Sequence, residues 1–306
     1  MIKNINDINK YIKEGRTREL IQSGENFHAR QYDDIIDILS NGKSKARFIC
    51  IAGPSASGKT TFAEKLKQKL LNNGIESLVI SMDNYFIDKK FIKADENGNY
   101  DFETIDIVDI ELFNEQLLDL LSGKEVYMPK YNFTAGEKEF STTPIKINDG
   151  DMIFVEGIHA LNYEKLFCHF DKELILGIYI RPDDFYETAS GELIEPHQIR
   201  LIRRSVRDVH YRNYALINTF KMWDNVRAGE HRYIVPNKGN ADFNFNSSLK
   251  YELPVLKKFF IEEYNKLNDN EKSYCEKYIC KEKIEEFLCI DADEVPQTSI
   301  LNEFIP

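Results

Sequence analysis

The stretch Gly53-Pro54-Ser55-Ala56-Ser57-Gly58-Lys59-Thr60 constrains this chain more than any other, because it fits G-x-x-x-x-G-K-[ST] at every required position. Before it, Arg47-Phe48-Ile49-Cys50-Ile51-Ala52 is an apolar, β-rich run that ends at the first glycine. After it, Phe62, Ala63, Leu66, Leu70 and Leu71 recur at roughly helical spacing. Strand, glycine-bearing loop and helix form the context this motif needs. The glycines let backbone N–H groups turn inward as an anion nest, and the helix N-terminus adds partial positive charge. Lys59 supplies a mobile cation for β- and γ-phosphates, and the Thr60 hydroxyl suits Mg²⁺, which prefers hard oxygen ligands. A chance glycine-rich turn before an ordinary helix is the plain alternative, and the flanking pattern disfavours it. The motif predicts nucleotide binding.

A net charge of −11 argues against nucleic acid or an anionic membrane as general partner. Positive charge for a nucleotide must therefore be gathered locally. At 306 residues the chain has room for one large or two modest domains, and 42% hydrophobic with 30% charged residues suits a soluble globular enzyme. The five cysteines are scattered without a zinc spacing, so free thiols in a reducing cytoplasm are expected. The charged start and the absence of a run of about 18 apolar residues predict a cytoplasmic, soluble protein.

Residues 1–45 read as two short amphipathic helices broken near Ser23-Gly24, followed by the polar linker Asn41-Gly42-Lys43-Ser44. Glu76 to Ser81 is a second strand that reaches Met82-Asp83-Asn84-Tyr85-Phe86. It sets Asp83 at a strand's C-terminal edge, where doubly wound sheets bind ligands. Asp83 is a general base, a Mg²⁺ ligand or simply a turn-forming aspartate. Val108 to Leu121 reads as a helix. Val126 to Pro129 and Pro144 to Ile147 read as short strands, with Tyr131-Asn132-Phe133-Thr134-Ala135-Gly136 between them. That aromatic stretch suits a small planar ligand, or is a hairpin's exposed tip. Met152-Ile153-Phe154-Val155 runs into Glu156-Gly157, and a carboxylate ending such a strand reaches Mg²⁺ directly or through water. Leu174 to Ile180 is a further strand, which completes an α/β alternation.

Local positive charge follows. Within a helix from Pro196 to Tyr214, Ile199, Ile202, Val206 and Val209 form an apolar face, while Arg200, Arg203, Arg204 and Arg207 share another. Guanidinium forks suit phosphate oxygens. A salt-bridged surface face is the alternative, and the phosphate loop in the same chain tips the balance toward an anion. Toward the C-terminus, a strand is expected at Asp242 to Asn246, with helices over Leu253 to Leu267 and Ser273 to Leu288.

Together several stretches resemble the uridine kinase and phosphoribulokinase family of phosphate-loop kinases. They are Gly53 to Thr61, Ser81-Met82-Asp83, Asn99-Tyr100-Asp101, Tyr131-Asn132-Phe133, Phe154-Val155-Glu156-Gly157 and Arg203-Arg204-Ser205-Val206-Arg207-Asp208, in that order over about residues 47–215. Residues 216–250 and Ser299 to Ile305 are similar to a bacterial nucleoside kinase-like subgroup. There a domain similar to those of threonyl-tRNA synthetases often precedes the kinase unit, and residues 1–45 resemble only its connecting helices.

The resemblance implies an α/β fold with a P-loop NTPase-type parallel sheet flanked by helices, a lid helix and a small α-helical C-terminal appendage. It divides the chain into an N-terminal helical extension (1–45), a kinase domain (46–247) and the appendage (248–306). ATP and Mg²⁺ are implied. Gly53, Ser55, Ala56, Ser57, Gly58, Lys59, Thr60, Thr61, Arg200 and Arg204 would bind the nucleotide, and Thr60 and Glu156 the metal. Asp83, Lys59, Arg203 and Arg207 would be catalytic, with Asp83 taking the proton from a ribose 5′-hydroxyl. Asp83, Tyr85, Tyr100, Asp101, Tyr131 and Arg203 would meet the acceptor. The arginines would form a lid that excludes water.

Three departures bear on the acceptor. Tyr85-Phe86 inverts the family's Phe-Tyr order, Gly136 stands where a base-reading histidine is expected, and Tyr211-Arg212-Asn213-Tyr214 keeps one arginine of the lid's Glu-Arg-Gly-Arg. The expected activity is ATP- and Mg²⁺-dependent phosphorylation of a nucleoside 5′-hydroxyl, uridine- or cytidine-like, with a small-molecule acceptor as partner and no nucleic acid or membrane. A sugar phosphate or pantothenate acceptor, or a nucleotide switch without acceptor turnover, are the rivals, and assembly into a homo-oligomer is left open.

Overall fold

The computed structural model describes residues 1–40, 44–92, 101 and 103–306. In chain order its elements are β1 (Ile2–Asn4), α1 (Ile5–Lys13), α2 (Thr17–Ser40), β2 (Phe48–Ala52), α3 (Lys59–Leu71), β3 (Ser77–Ser81), α4 (Ile110–Leu121), β4 (Pro129–Asn132) and β5 (Glu137–Phe140). There follow β6 (Met152–Glu156), α5 (Tyr163–Leu166), β7 (Ile175–Arg181), β8 (Phe185–Glu187), β9 (Leu193–Ile194), α6 (Pro196–Arg212) and α7 (Leu216–Gly229). The chain closes with β10 (Phe243–Asn246), α8 (Glu252–Asn265), α9 (Asp269–Cys275) and α10 (Lys281–Glu285).

Five strands form one parallel sheet in the order β10-β7-β2-β6-β3. Side chains alternate across a strand, and the alternation divides the interior in two. Ile49 and Ile51 of β2, Phe154 of β6 and Ile178 and Ile180 of β7 face one core, with α2, α3, α6 and α8. Phe48, Cys50 and Ala52, with Ile153, Val155 and Tyr179, face the other, with α4. Apolar runs rather than alternating ones are the signature of strands covered on both faces. The fold is the α/β parallel sheet expected from the sequence.

The phosphate loop leaves β2 at the centre of this sheet. Its two neighbours, β6 and β7, both lie later in the chain, so the chain crosses out to β3 at the edge before returning. A cleft opens at such a point, beyond the strands' C-terminal ends. Two smaller sheets lie outside it: β4 pairs antiparallel with β5, and β8 pairs parallel with β1 and antiparallel with β9.

Several local expectations shift. α2 runs through Ser23-Gly24 without a break, and the chain turns instead between α1 and α2 at Gly15, where φ is +69°. Gly24 serves packing, since a Cβ there would sit 3.1 Å from the Tyr251 ring. Residues 126 and 145 form a single antiparallel bridge, while the hairpin proper uses residues 129–132 and 137–140. The helix expected over Ser273 to Leu288 is two short ones, α9 and α10. The segment 248–306, expected as an appendage, shares the first core with the sheet through Leu256, Phe260, Leu301 and Phe304. Among the described residues no helix is long and apolar enough to cross a membrane.

Candidate active site

The loop between β2 and α3 holds a backbone conformation that side-chain-bearing residues rarely adopt. Ala56 (φ 58°) and Gly58 (φ 92°) both lie in the left-handed region, as an inward-facing N–H nest requires. Gly53 is dictated by approach: a Cβ there would lie 2.0 Å from the Ile180 carbonyl oxygen. Lys59 donates to the Pro54 carbonyl at 3.4 Å, and Thr60 is exposed in the first turn of α3.

Two strands beside the loop deliver carboxylates. Glu156 ends β6, with Ile51 of β2 and Ser81 of β3 as its register partners. It is buried, and the one hydrogen bond of its carboxyl among the described residues is a long 3.4 Å contact from Ser81 Oγ. Burial, with Asp83 and Glu303 adding like charge against the pull of Lys59, pushes the Glu156 carboxyl up to about 7. Asp83 follows β3 in a short 3₁₀ turn (Met82–Tyr85) and opens into the cleft. Surrounding protein still raises its pKa, while Lys59 and Arg212 act in the opposite sense. Glu103 adds a third carboxyl, also raised by burial and in the fields of Arg204, Lys59, Asp101 and Asp83.

The capped helix α6 aims the arginines. Glu195 and Gln198 form its capping box, Pro196 opens its first turn, and Asn213 (φ 51°) ends it. The four arginines divide into two pairs. Arg200 and Arg203 are buried. Arg200 pairs with Glu230 at 2.5 Å and donates to the Ser55 carbonyl at 3.1 Å. Arg203 pairs with Glu252 at 2.6 Å and reaches the Ala56 carbonyl at 3.5 Å. These two brace the loop from its outer side. Arg204 donates to Ser55 Oγ at 2.8 Å, and Arg204, Arg207 and Arg212 all surround the buried Asp208, at 3.2, 3.2 and 3.5 Å.

On the acceptor side one expectation is corrected. Tyr85 does not face the cleft: it is fully buried, donates to Gln116 Oε1 at 2.7 Å and meets Phe113 edge-on. The 3₁₀ turn sends Asp83 outward and Tyr85 into the α4 core, so a ribose contact from its hydroxyl is excluded. The next residue, Phe86, instead meets Tyr131, with ring centroids 5.6 Å apart, and Phe133 joins both. Asp101 accepts from the Tyr233 hydroxyl at 2.7 Å. Tyr100 lies outside the described residues.

Glu103, Asp208, Glu230, Glu252 and Glu303 belong to this site but were not predicted as part of it. No motif spacing marks them. The one available hint was that four clustered guanidinium groups must find acidic partners somewhere in the chain.

Mg²⁺ fits the donors present. Glu156 is a buried, under-partnered carboxyl beside the loop, Asp83 is close enough to act on it electrostatically, and the Thr60 hydroxyl is free to solvent at the start of α3. Few protein oxygens with room for waters is the donor set this ion favours.

The family model described as "Phosphoribulokinase / Uridine kinase family" matches residues 48–253. A uridine kinase from Borrelia hermsii is 32% identical over 210 residues, covering 64% of this chain and 84% of that protein. One from Ureaplasma parvum is 30% identical over 195 residues, covering 63% and 84%. A solved structure titled as a possible uridine kinase from Bacillus stearothermophilus is 21% identical, with a TM-score of 0.43, and covers 70% of this chain and 98% of that one. With the loop, the flanking carboxylates and the arginine helix in the family's order, the chain belongs to the phosphoribulokinase/uridine kinase family and is a phosphotransferase that acts on an alcohol group.

Proposed function

We propose that the protein is an ATP- and Mg²⁺-dependent kinase that phosphorylates the 5′-hydroxyl of a nucleoside. The observation that supports this reading is that Asp83 and Glu156 sit at the ends of β3 and β6, beside β2, whose loop leads to Lys59 at the start of α3. The triphosphate lies in the loop Gly53–Thr61, with Lys59 on its outer phosphates. Thr60 and Glu156 would hold Mg²⁺, which would supply neutralisation of phosphate charge. Asp83 accepts the acceptor hydroxyl's proton; its raised pKa makes it a stronger base than an ordinary aspartate. Arg204, Arg207 and Arg212 supply cations for the charge spread over the transferred group. Arg200 and Arg203, predicted as direct ligands, act one step back by fixing the loop's carbonyl groups. Asp101 and Tyr131 bound the acceptor space.

A non-nucleoside acceptor is the second reading, and Gly136 favours it. There φ is +72° and a Cβ would fall 2.9 Å from Lys89 Cβ, so this position is built for a tight turn rather than for a base-reading side chain.

ADP release with Mg-ATP across ribo- and deoxyribonucleosides, pantothenate and sugar phosphates tests both readings. Stimulation by a nucleoside is expected. Stimulation only by another acceptor overturns the nucleoside, and silence across the panel with ATP still bound points to a nucleotide switch.

A further inference from the structure

The last residues of the chain return to the phosphate loop. Ile300 packs on Gly58 so closely that a Cβ on that glycine would meet it at 2.4 Å. Phe304 lies under the guanidinium of Arg203, 5.1 Å from ring centroid to Cζ, and the Tyr211 hydroxyl donates to the Ile305 carbonyl. Ile300, Leu301 and Phe304 are buried in the first core, so this segment is anchored. Between the anchors Glu303 points its carboxylate into the site. It accepts from Thr61 Oγ1 at 3.1 Å and faces Arg207 at 3.7 Å, with its side chain 19% exposed.

Those partners are of the kind a phosphate uses: a hydroxyl in the first turn of α3, where the helix end is partially positive, and a guanidinium of α6. Glu303 also acts on Glu156, which places its charge near the metal-side carboxyl as well. A nucleotide phosphate and this carboxylate carry the same sign and compete for the same donors.

We propose that residues 299–305 form a strap over the phosphate loop in which the Glu303 carboxylate stands in for a nucleotide phosphate, so that nucleotide binds by displacing it. The inference rests on the nucleotide being held at the loop, as set out above. A protein whose binding-competent form is a minor fraction shows an affinity reduced by that fraction. Releasing the carboxylate restores it.

The test measures ADP and ATP affinity of the full chain by calorimetry, with and without Mg²⁺, for the unaltered protein and for Glu303→Gln. Glutamine keeps the shape and removes the charge. Glu303→Gln is expected to bind about tenfold tighter. In the unaltered chain, amide hydrogen exchange across residues 299–305 is expected to rise when ADP is added, a readout that stands even if the variant folds poorly. Equal or weaker binding by Glu303→Gln, or a tail that nucleotide protects, overturns the strap and makes Glu303 a part of the nucleotide site. Nucleotide binding without turnover of any acceptor refutes the kinase reading alone. Absence of nucleotide binding to either form refutes both.

Discussion

Arg203 and Glu252 form an ion pair closed off from solvent beneath the phosphate loop, 2.6 Å apart with neither side chain exposed. Arg203 also donates to the Ser247 carbonyl at 2.7 Å and reaches the loop at Ala56, so the pair joins the loop to the start of α8. Glu252→Gln leaves a guanidinium charge buried without its counter-charge. We expect a loss of about 3–5 kcal/mol of stability, read by urea denaturation. A loss under 1 kcal/mol would show that Ser247 and the loop carbonyl satisfy Arg203 by themselves.

Asp83→Asn removes the proposed base and keeps its size. Turnover should fall about 10²- to 10⁴-fold, with ATP affinity unchanged. Unchanged turnover would remove Asp83 from the chemistry.

Glu156 makes stability depend on pH in a direction opposite to that of most carboxylates. Its folded pKa of about 7 lies above the ordinary 4.5, so between those values the folded chain keeps a proton that the unfolded chain has released. Stability from this group is therefore full below about pH 4.5 and declines as pH rises through 7, by on the order of 3 kcal/mol. Denaturation of metal-free protein at pH 5 and pH 7.5 should show the decline, and Glu156→Gln should flatten it. An equal slope in the variant would assign the decline to another group.

Tyr85→Phe separates packing from substrate contact. The variant strands the Gln116 carbonyl inside the α4 core and should cost about 1–3 kcal/mol, with the acceptor KM unmoved. A raised KM at unaltered stability would return Tyr85 to the substrate site.

The sequence carried the sheet and the loop because both are written in short-range terms. Apolar runs mark covered strands, and G-x-x-x-x-G-K-[ST] forces a particular backbone between β2 and α3. The positions of Asp83 and Glu156 were legible for the same reason, one just past the end of β3 and the other the last residue of β6. The arginine helix was legible as a helix, but its spacing could not show that Arg200 and Arg203 turn toward Glu230 and Glu252, 30 and 49 residues away. Tyr85 failed for a different reason. A resemblance aligns positions, whereas the 3₁₀ turn decides that Tyr85 packs against Phe113 of α4 while Phe86, also buried, meets Tyr131 and Phe133. Glu303 was invisible because its contact with Thr61 spans 242 residues and leaves no pattern in between.

Asp208 accepts ion pairs from three guanidinium groups with a single negative charge. Even with Glu303 also facing Arg207, the three guanidinium groups outnumber these two carboxylates by one, inside a chain whose net charge is −11. The net charge repels an approaching polyanion, whereas the guanidinium groups of this cluster attract it. Added salt screens both the repulsion and the attraction over distances of about 10 Å, yet hardly touches the buried pairs that hold the loop. Ionic strength should thus act on how quickly an anionic ligand arrives long before it acts on whether the protein stays folded.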